Sequence, residues 1–331
     1  MARYDIYGIG GALVDTEVEV SDKFLAHAKI EKGVMTLVDE SRQTELLDAL
    51  SSEDLTLFKK CGGSVCNSVV AASSLGSKVF FSGKVADDAD GELYVSDLKR
   101  AGVDFHSAGQ EPGTTGKCLV MVTEDAERTM NTFLGASDTF SAKEIDKDAI
   151  KNSEWFYVEG YLVTDKERTK ATRDAVEYAK EHGVKIAISL SDPFVVDVFG
   201  YALREVMGDG VDLVFCNKDE ALAFTGSSEI ESAIEKLKQH TKTFAITDGA
   251  NGSITFDGEL VSRSEGVSAK AIDTNGAGDM FAGAFLYAIT SGRSYDWAAK
   301  LANDCASRVV AKFGPRLDLE DFDVIKAKFG L

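Results

Sequence analysis

The chain has 331 residues, 44% of them hydrophobic, which is enough for one large domain with a smaller one attached. Asp and Glu outnumber Lys and Arg by 55 to 36, and the formal net charge is −19 at pH 7. So acidic a surface repels nucleic acid and acidic lipid, and both are excluded as expected partners. The net charge does not exclude small phosphate-bearing ligands, because backbone N–H groups and a few local cations can bind them.

The five cysteines form no CxxC pair, which predicts free thiols in a reducing compartment. The first residues lead straight into a short apolar strand, with no secretory signal peptide. No apolar run approaches the roughly 20 residues that span a bilayer. We therefore expect a cytoplasmic protein with no membrane partner.

A short strand over residues 6–11 ends in glycines, and residues 12–20 then alternate as a half-exposed strand does. Leu13 stands where a dinucleotide-binding GxGxxG would have its third glycine, and no helix follows. A nicotinamide dehydrogenase is therefore disfavoured. Asp15 lies in the alternating strand, either as a plain surface residue or as a ligand-binding carboxylate.

Strands and helices alternate over residues 78–104 and again over 155–247, which predicts a parallel sheet with helices on both faces. Residues 105–135 break this rhythm with a β-hairpin over 117–133. Together with the strands at 12–20 and 34–38, the hairpin predicts a small separate sheet. Arg128 begins the second hairpin strand, where a solvated turn cation is the simplest interpretation.

Polar residues follow the ends of three predicted strands, namely Glu159, Asp192, Asn217 and Glu220. In open α/β sheets, ligands bind beyond the carboxyl ends of the strands. Asn217 and Glu220 also fit a reciprocal helix cap, which needs no ligand. Earlier in the chain, the pair Gly62 and Gly63 precedes a core helix, as a flexible loop or a close backbone approach to a ligand would require.

The most informative stretch is Asp-Thr-Asn-Gly-Ala-Gly-Asp at residues 273–279, followed by a helix that is apolar almost all round. Gly276 and Gly278 allow a tight turn, and the free N–H groups of a helix N terminus bind anions. Asp279 stands in that first turn. It either favours the helix dipole or acts as a general base beside an anion pocket, and the spacing alone favours neither.

Residues 273–279 resemble the C-terminal signature of the ribokinase-like family, also called the phosphofructokinase B family of carbohydrate and nucleoside kinases. Other family motifs fall in order over nearly the whole chain. The resemblance implies an α/β fold with a doubly wound, mostly parallel sheet flanked by helices, and a small β-sheet lid. It assigns residues 1–11, 40–104 and 136–331 to the large domain, and residues 12–39 and 105–135 to the lid.

The resemblance also implies ATP-dependent transfer of the γ-phosphoryl group to a primary hydroxyl, a reaction that depends on alignment and charge stabilisation. Asp279 would be the base, the backbone of Gly276, Ala277 and Gly278 would stabilise the transferring group, and Arg128 would reach it from the lid. The positions that match acceptor-binding residues are Asp15, Gly62, Gly63, Asn67 and Glu159.

Cofactor positions carry over from the family in the same way. The positions that match the nucleotide site are Thr247, Gly249, Gly252, Gly278, Asn217 and Asn303. Asn217 and Glu220 match the motif that organises Mg²⁺ through water. Asp273 and Gly314 match a monovalent-cation site for K⁺, to which Lys312 and Asp318 are weaker candidates.

The acceptor is a nucleoside or a sugar. Gly-Gly-Ser before Asn-Ser at residues 62–68, and the long segment between Asp15 and Gly62, resemble the adenosine kinase branch. Glu159 stands instead where sugar kinases of the family place an acceptor-binding glutamate. Tyr161 fits either stacking on a purine or the core. We expect adenosine, with a sugar (ribose, fructose or 2-keto-3-deoxygluconate) as the alternative, and a monomer or a homodimer formed through the lid.

Overall fold

A computed structural model describes residues 3–51, 55–107, 111–125 and 127–331. The strands in chain order are β1 (Tyr4–Ile9), β2 (Leu13–Glu19), β3 (Met35–Leu37), β4 (Phe58–Gly62), β5 (Val79–Ser82), β6 (Val103–His106), β7 (Gly116–Val122), β8 (Arg128–Phe133), β9 (Ser153–Val158), β10 (Lys185–Ser189), β11 (Val211–Asn217), β12 (Thr241–Thr247), β13 (Ser253–Phe256) and β14 (Val261–Ser264). The helices are α1 (Asp22–His27), α2 (Glu40–Ser51), α3 (Ser64–Leu75), α4 (Ala89–Arg100), α5 (Lys147–Lys151), α6 (Lys166–Glu181), α7 (Pro193–Met207), α8 (Lys218–Thr225), α9 (Ile230–Leu237), α10 (Ala277–Thr290), α11 (Tyr295–Val309) and α12 (Leu319–Phe329).

The larger sheet has nine strands in the order β14-β13-β12-β11-β10-β9-β1-β5-β6. The seven neighbouring strands β12-β11-β10-β9-β1-β5-β6 run parallel to one another. Strands β13 and β14 are antiparallel additions at one edge. At its centre, β1 pairs with β9 on one side and β5 on the other. The predicted mostly parallel sheet is confirmed, and its carboxyl ends lie along one edge.

Helices cover both faces of this sheet, as the alternation of side chains along its strands requires. In β9, Tyr157 faces the core under α3 and α10, whereas Phe156 faces the core under α6 and α7. Phe285 of α10 packs edge-on against Phe215 of β11 at 5.7 Å between ring centroids. Burying each such side chain stabilises the fold by about 1.5–3 kcal/mol, so α10 is held firmly over the sheet.

The smaller sheet has the strand order β3-β8-β7-β2-β4. The predicted hairpin is its centre, because β7 pairs antiparallel with β8 from Lys117 opposite Phe133 to Val122 opposite Arg128. One face is covered by an apolar cluster in which Leu46 and Leu50 of α2 pack with Met121. The other face turns toward the carboxyl edge of the larger sheet.

The expected domain boundary at residue 40 is wrong. β4 belongs to the smaller sheet, where it pairs antiparallel with β2 and places Lys60 opposite Asp15. Helix α2 belongs with it, because its apolar residues are buried against that sheet. The sequence of β4, Phe-Lys-Lys-Cys-Gly, lacks the alternation of a half-buried strand, as is common at a sheet edge.

Strand β2 is also more buried than its alternating sequence predicts. Glu17 is only 1% exposed, and Asp15 and Thr16 are buried as well. The reason is tertiary, because Glu17 accepts a hydrogen bond from Asn275 of the large domain across the cleft.

All five cysteines are buried and carry free thiols. Within the described ranges, none of the helices is both long enough and apolar enough to cross a lipid bilayer.

Candidate active site

A cleft of about 780 Å³ lies between the carboxyl edge of the larger sheet and the smaller sheet. It collects most of the residues that the sequence singled out from distant parts of the chain. Those lining it are Asp15, Gly63, Asn67, Arg128, Glu159, Asn217, Glu220, Thr247, Gly249, Gly276, Ala277, Gly278 and Asp279. Gly62, Gly252, Asp273, Asn303 and Gly314 are not part of this lining.

The glycine-rich turn before α10 forms the floor of the cleft, and we call residues 273–278 the anion loop. Gly276 has φ of +73°, and a Cβ added to it would overlap the carbonyl oxygen of Pro315. No side chain caps the N terminus of α10. The Ala277 N–H makes a long hydrogen bond of 3.4 Å to the Thr274 carbonyl oxygen, and the N–H groups that follow it are free to bind an anion in the cleft.

Asp279 stands in the first turn of α10, with its carboxylate held from α3. Asn67 donates a hydrogen bond from Nδ2 to Oδ2 of Asp279 at 2.9 Å. Burial raises the pKa of Asp279 to about 6, while this hydrogen bond and the charge of Arg128 act in the opposite direction. The carboxylate is thus mostly ionised at neutral pH and has a pKa close to that useful in a general base.

Arg128 of β8 reaches across the cleft to the anion loop. Its Nη1 donates to Oδ1 of Asn275 at 2.8 Å, and Asn275 in turn donates from Nδ2 to Oε1 of Glu17 at 3.2 Å. The Nε atom of Arg128 is buried and has no hydrogen-bond partner among the described residues. The cation is therefore placed beside the N–H groups at which an anion would bind, and its contact with a transferring phosphate stays a prediction.

Asp15 and the two glycines before α3 meet at the opposite wall. A Cβ on Gly62 would overlap the carboxylate of Asp15, and a Cβ on Gly63 would overlap the carbonyl oxygen of Gly11. Asp15 is buried, and this burial, followed by the charge of Glu17, raises its pKa well above the usual range. The glycines thus permit the close packing of β2 against the start of α3.

Glu159 ties the end of β1 to the start of α3. Its Oε1 accepts a hydrogen bond from the Gly11 N–H at 3.1 Å, and its Oε2 accepts one from the Val65 N–H at 3.0 Å. Burial raises the pKa of Glu159 to about 7. Both oxygens thus already have backbone donors, and the predicted contact between Glu159 and the acceptor stays a prediction.

Asn217 and Glu220 form the reciprocal cap at the start of α8 and also line the cleft. Asn217 Oδ1 accepts from the Glu220 N–H at 2.8 Å, and Asn217 Nδ2 donates to Glu220 Oε1 at 2.7 Å. Burial and, to a smaller extent, the charges of nearby aspartates raise the pKa of Glu220 to about 7, while the hydrogen bond from the Asn217 N–H acts in the opposite direction. Among the described residues, no group of three or more Asp, Glu, His or Cys side chains could hold a metal ion directly, so the role of Asn217 and Glu220 in organising Mg²⁺ through water stays a prediction.

The predicted nucleotide loop is only partly at the cleft. Thr247 and Gly249 line it. Gly252 and Asn303 instead support the segment at residues 264–266. A Cβ on Gly252 would overlap the Ser264 carbonyl oxygen, and Asn303 Nδ2 donates to the carbonyl oxygens of Ser264 at 3.3 Å and Glu265 at 3.2 Å. The nucleotide-binding role of Gly252 and Asn303 stays a prediction.

Asp273 anchors the anion loop. It is fully buried, its Oδ1 accepts from the Asn275 N–H at 2.9 Å, and its Oδ2 accepts from the Gly314 N–H at 3.1 Å. A Cβ added to Gly314 would lie 3.1 Å from Lys60 Nζ and 3.4 Å from Glu17 Oε2, and that Glu17 oxygen has no hydrogen-bond partner within the described residues.

The two weaker candidates for the cation site lie together at the start of α12. Lys312 forms ion pairs there with Asp318 and Asp321.

Most of the chain matches one known protein family. The family model described as pfkB family carbohydrate kinase matches residues 29–321. The chain belongs to this family. Members of this family transfer a phosphoryl group to an alcohol, so the pfkB-family chain is a phosphotransferase with an alcohol acceptor, and kinase membership implies the use of ATP and Mg²⁺.

Relatives of this pfkB-family kinase carry two kinds of name. An adenosine kinase of Saccharomyces cerevisiae is 26% identical, with 96% of this chain and 98% of the relative aligned. A 5-dehydro-2-deoxygluconokinase of Bacillus subtilis is 30% identical, with 78% of this chain and 83% of the relative aligned.

The solved structures divide in the same way. The adenosine kinase from Sinorhizobium meliloti superposes with a TM-score of 0.90 at 35% sequence identity. The alignment covers 98% of this chain and 99% of the Sinorhizobium meliloti chain. A probable sugar kinase from Rhizobium etli superposes with a TM-score of 0.91 at 31% sequence identity. The alignment covers 99% of this chain and 100% of the Rhizobium etli chain. The predicted ribokinase-like fold is confirmed.

Sequence reasoning missed two residues that shape the site of this pfkB-family kinase. Arg316 donates from Nε to Asn67 Oδ1 at 2.8 Å, and Glu17 holds Asn275 of the anion loop. A single arginine after a proline belongs to no recognisable sequence motif. The same is true of a glutamate in an alternating strand. The alternating pattern of β2 does put Glu17 on the same face as Asp15, which is the one local signal that could have found it.

Proposed function

We propose that this kinase transfers the γ-phosphoryl group of ATP to the primary hydroxyl of adenosine. The observation that carries the proposal is the apolar wall on the smaller-sheet side of the cleft. Its members are Leu13, Met35, Leu37, Cys118, Met130 and Leu134. A purine base needs flat apolar walls, whereas a sugar needs a ring of hydrogen-bonding groups. Adenosine kinases that align with almost the whole chain support the same acceptor.

Tyr161 completes this acceptor subsite from the large domain. Its ring lines the cleft, and its hydroxyl donates to Asp192 Oδ2 at 3.3 Å. This hydrogen bond holds the ring in one orientation, as stacking on a base requires.

In the proposed reaction, Asp279 accepts the proton of the attacking hydroxyl. The N–H groups of Gly276, Ala277 and Gly278 and the guanidinium of Arg128 stabilise the charge on the transferring group. Bound Mg²⁺ would supply neutralising charge to the phosphates, and Asn217 and Glu220 would hold its water ligands. The smaller sheet would exclude water from the cleft, which prevents ATP hydrolysis without an acceptor.

A monovalent cation, K⁺, is proposed to order the anion loop near Asp273 and Gly314. The unpartnered Glu17 Oε2 supports a cation on this side of the loop. Lys60 lies on the same side of Gly314 and offers an internal cation. Replacing K⁺ by choline at constant ionic strength is the test. A fall in kcat supports the bound cation, and an unchanged kcat assigns its place to Lys60.

The oligomeric state, a monomer or a homodimer through the lid, stays a prediction.

The second candidate function is phosphorylation of a sugar or sugar acid. Arg168 favours it, because this residue lines the cleft with a side chain only 7% exposed, and its Nη2 lies 3.2 Å from Asp138 Oδ1. The Nε of Arg168 is buried without a partner among the residues described. Such a guanidinium matches the carboxylate of a sugar acid, the class named by the Bacillus subtilis relative.

The experiment is a coupled ATP-consumption assay against adenosine, inosine, guanosine, ribose, fructose, 2-keto-3-deoxygluconate and 5-dehydro-2-deoxygluconate. We expect kcat/KM to be highest for adenosine. Arg168→Ala is the matched variant, and it should leave adenosine turnover nearly unchanged. If a sugar acid is the best substrate and Arg168→Ala abolishes its use, the sugar-acid alternative replaces adenosine.

A further inference from the structure

Arg316 lies on the loop between α11 and α12, and its side chain is only 10% exposed. Its guanidinium donates three hydrogen bonds to two helices of the large domain. Nε donates to Asn67 Oδ1 at 2.8 Å, Nη1 to Asp97 Oδ2 at 2.7 Å, and Nη2 to Cys66 Sγ at 3.1 Å. A planar fork with three partners has one orientation, which lysine cannot reproduce.

This contact decides which way the Asn67 amide points. A guanidinium has only donors, so the atom of Asn67 that faces Arg316 must be the carbonyl oxygen. The NH₂ group of Asn67 must then face Asp279, to which it donates at 2.9 Å. A flipped amide would oppose donors to Arg316 and would place its oxygen against the carboxylate.

The same short segment also holds the anion loop. The carbonyl oxygen of Pro315 packs against Gly276, where it leaves no room for a side chain. The N–H of Gly314 donates to Asp273 Oδ2. Three consecutive residues thus contact the loop that would bind phosphate and, through Asn67, the carboxylate that would take the proton.

We propose that Arg316 is a positioning residue, which through Asn67 sets the orientation of the Asp279 carboxylate relative to the anion loop. The proposal rests on the proposed function, in which Asp279 is the base. Arg316 touches no reacting atom itself. Its hydrogen-bonded contact with the carboxylate passes through one amide, which makes the proposal separable from a general loss of folding. The charge of Arg316 also lowers the pKa of Asp279 directly, and Arg316→Lys keeps that charge.

The test is a double-mutant cycle with Arg316→Gln, Asn67→Ala and the double variant, assayed with ATP and the best acceptor. Arg316→Gln is expected to lower kcat about 10- to 100-fold while the KM for ATP stays near its original value, and Arg316→Lys is expected to restore little of the loss. All variants are assayed well above pH 6, where Asp279 is ionised with or without the Arg316 charge. In the Asn67→Ala background, Arg316→Gln should then change kcat less than about twofold, because the hydrogen-bonded route is already cut. Equal losses in both backgrounds would overturn the proposal.

A second measurement does not depend on turnover. The side-chain amide of Asn67, identified in ¹⁵N-asparagine-labelled protein by its absence from Asn67→Ala, should shift in Arg316→Gln. An unshifted resonance would overturn the proposal.

Arg308→Gln is the matched control, since Arg308 pairs with Asp304 on α11 at 2.9 Å, and it should leave both kcat and the Asn67 resonance unchanged. A wild-type protein that phosphorylates none of the seven acceptors would overturn the proposed function, whereas an active wild type with additive losses overturns only the role of Arg316.

Discussion

Arg128 in the smaller sheet donates a 2.8 Å hydrogen bond to Asn275 in the anion loop, although 147 residues separate them in the chain. The smaller sheet is thus joined to the loop by a charged side chain that also lines the cleft. A cation beside free N–H groups is the arrangement that stabilises a transferring phosphoryl group.

Arg128→Ala is expected to lower kcat by about 10²–10³-fold, the range for removing one group that stabilises the charge of the transition state. Steady-state kinetics with the best acceptor measures it. Arg263→Ala is the control, because Arg263 pairs with Glu231 at the surface, where its side chain is 56% exposed. Equal kcat values for the two variants would remove Arg128 from the mechanism.

Asp279→Asn is expected to lower turnover by about 10²–10⁴-fold, as the loss of a general base does. The change is nearly isosteric, so the thermal midpoint and ATP binding should stay close to those of the original protein. Single-turnover kinetics separates the chemical step from binding. Near-normal turnover by this variant would show that another group takes the proton.

The pH dependence of kcat/KM should report Asp279. Burial raises its pKa to about 6, and only the ionised form accepts a proton, so activity should fall as pH drops through about 6. The charge of Arg128 lowers this pKa. Removing that charge by Arg128→Gln should therefore raise the pKa and move the acidic limb to higher pH. A limb that stays in place in this variant would assign it to another group, such as Glu220.

Gly276→Ala is expected to destabilise the fold more than Gly183→Ala does. Both glycines have positive φ, +73° and +71°, and placing a side chain there costs about 1–2 kcal/mol. Only Gly276 faces Pro315, whereas a Cβ on Gly183 meets no atom within 4 Å. Urea denaturation compares the two free energies of unfolding. Equal losses would show that the loop yields to the added Cβ without strain.

Most elements of the fold could be predicted from local pattern. The alternation of apolar strands and helices predicted the parallel sheet, and the period-two hairpin predicted the centre of the smaller one. Strand β4 was not predicted, because its Phe-Lys-Lys-Cys-Gly sequence carries the charges common at a sheet edge. It becomes a strand only by pairing with β2.

The sequence by itself determined the anion loop and the Asp279 that follows it, because glycines, a helix start and a carboxylate within seven residues encode their geometry locally. Only the tertiary structure decided which distant groups act on that carboxylate. Arg316 meets Asn67 across 249 residues of chain, and such a meeting depends on how helices pack over the sheet. No local pattern records it, since packing is a property of surfaces brought together by the whole fold.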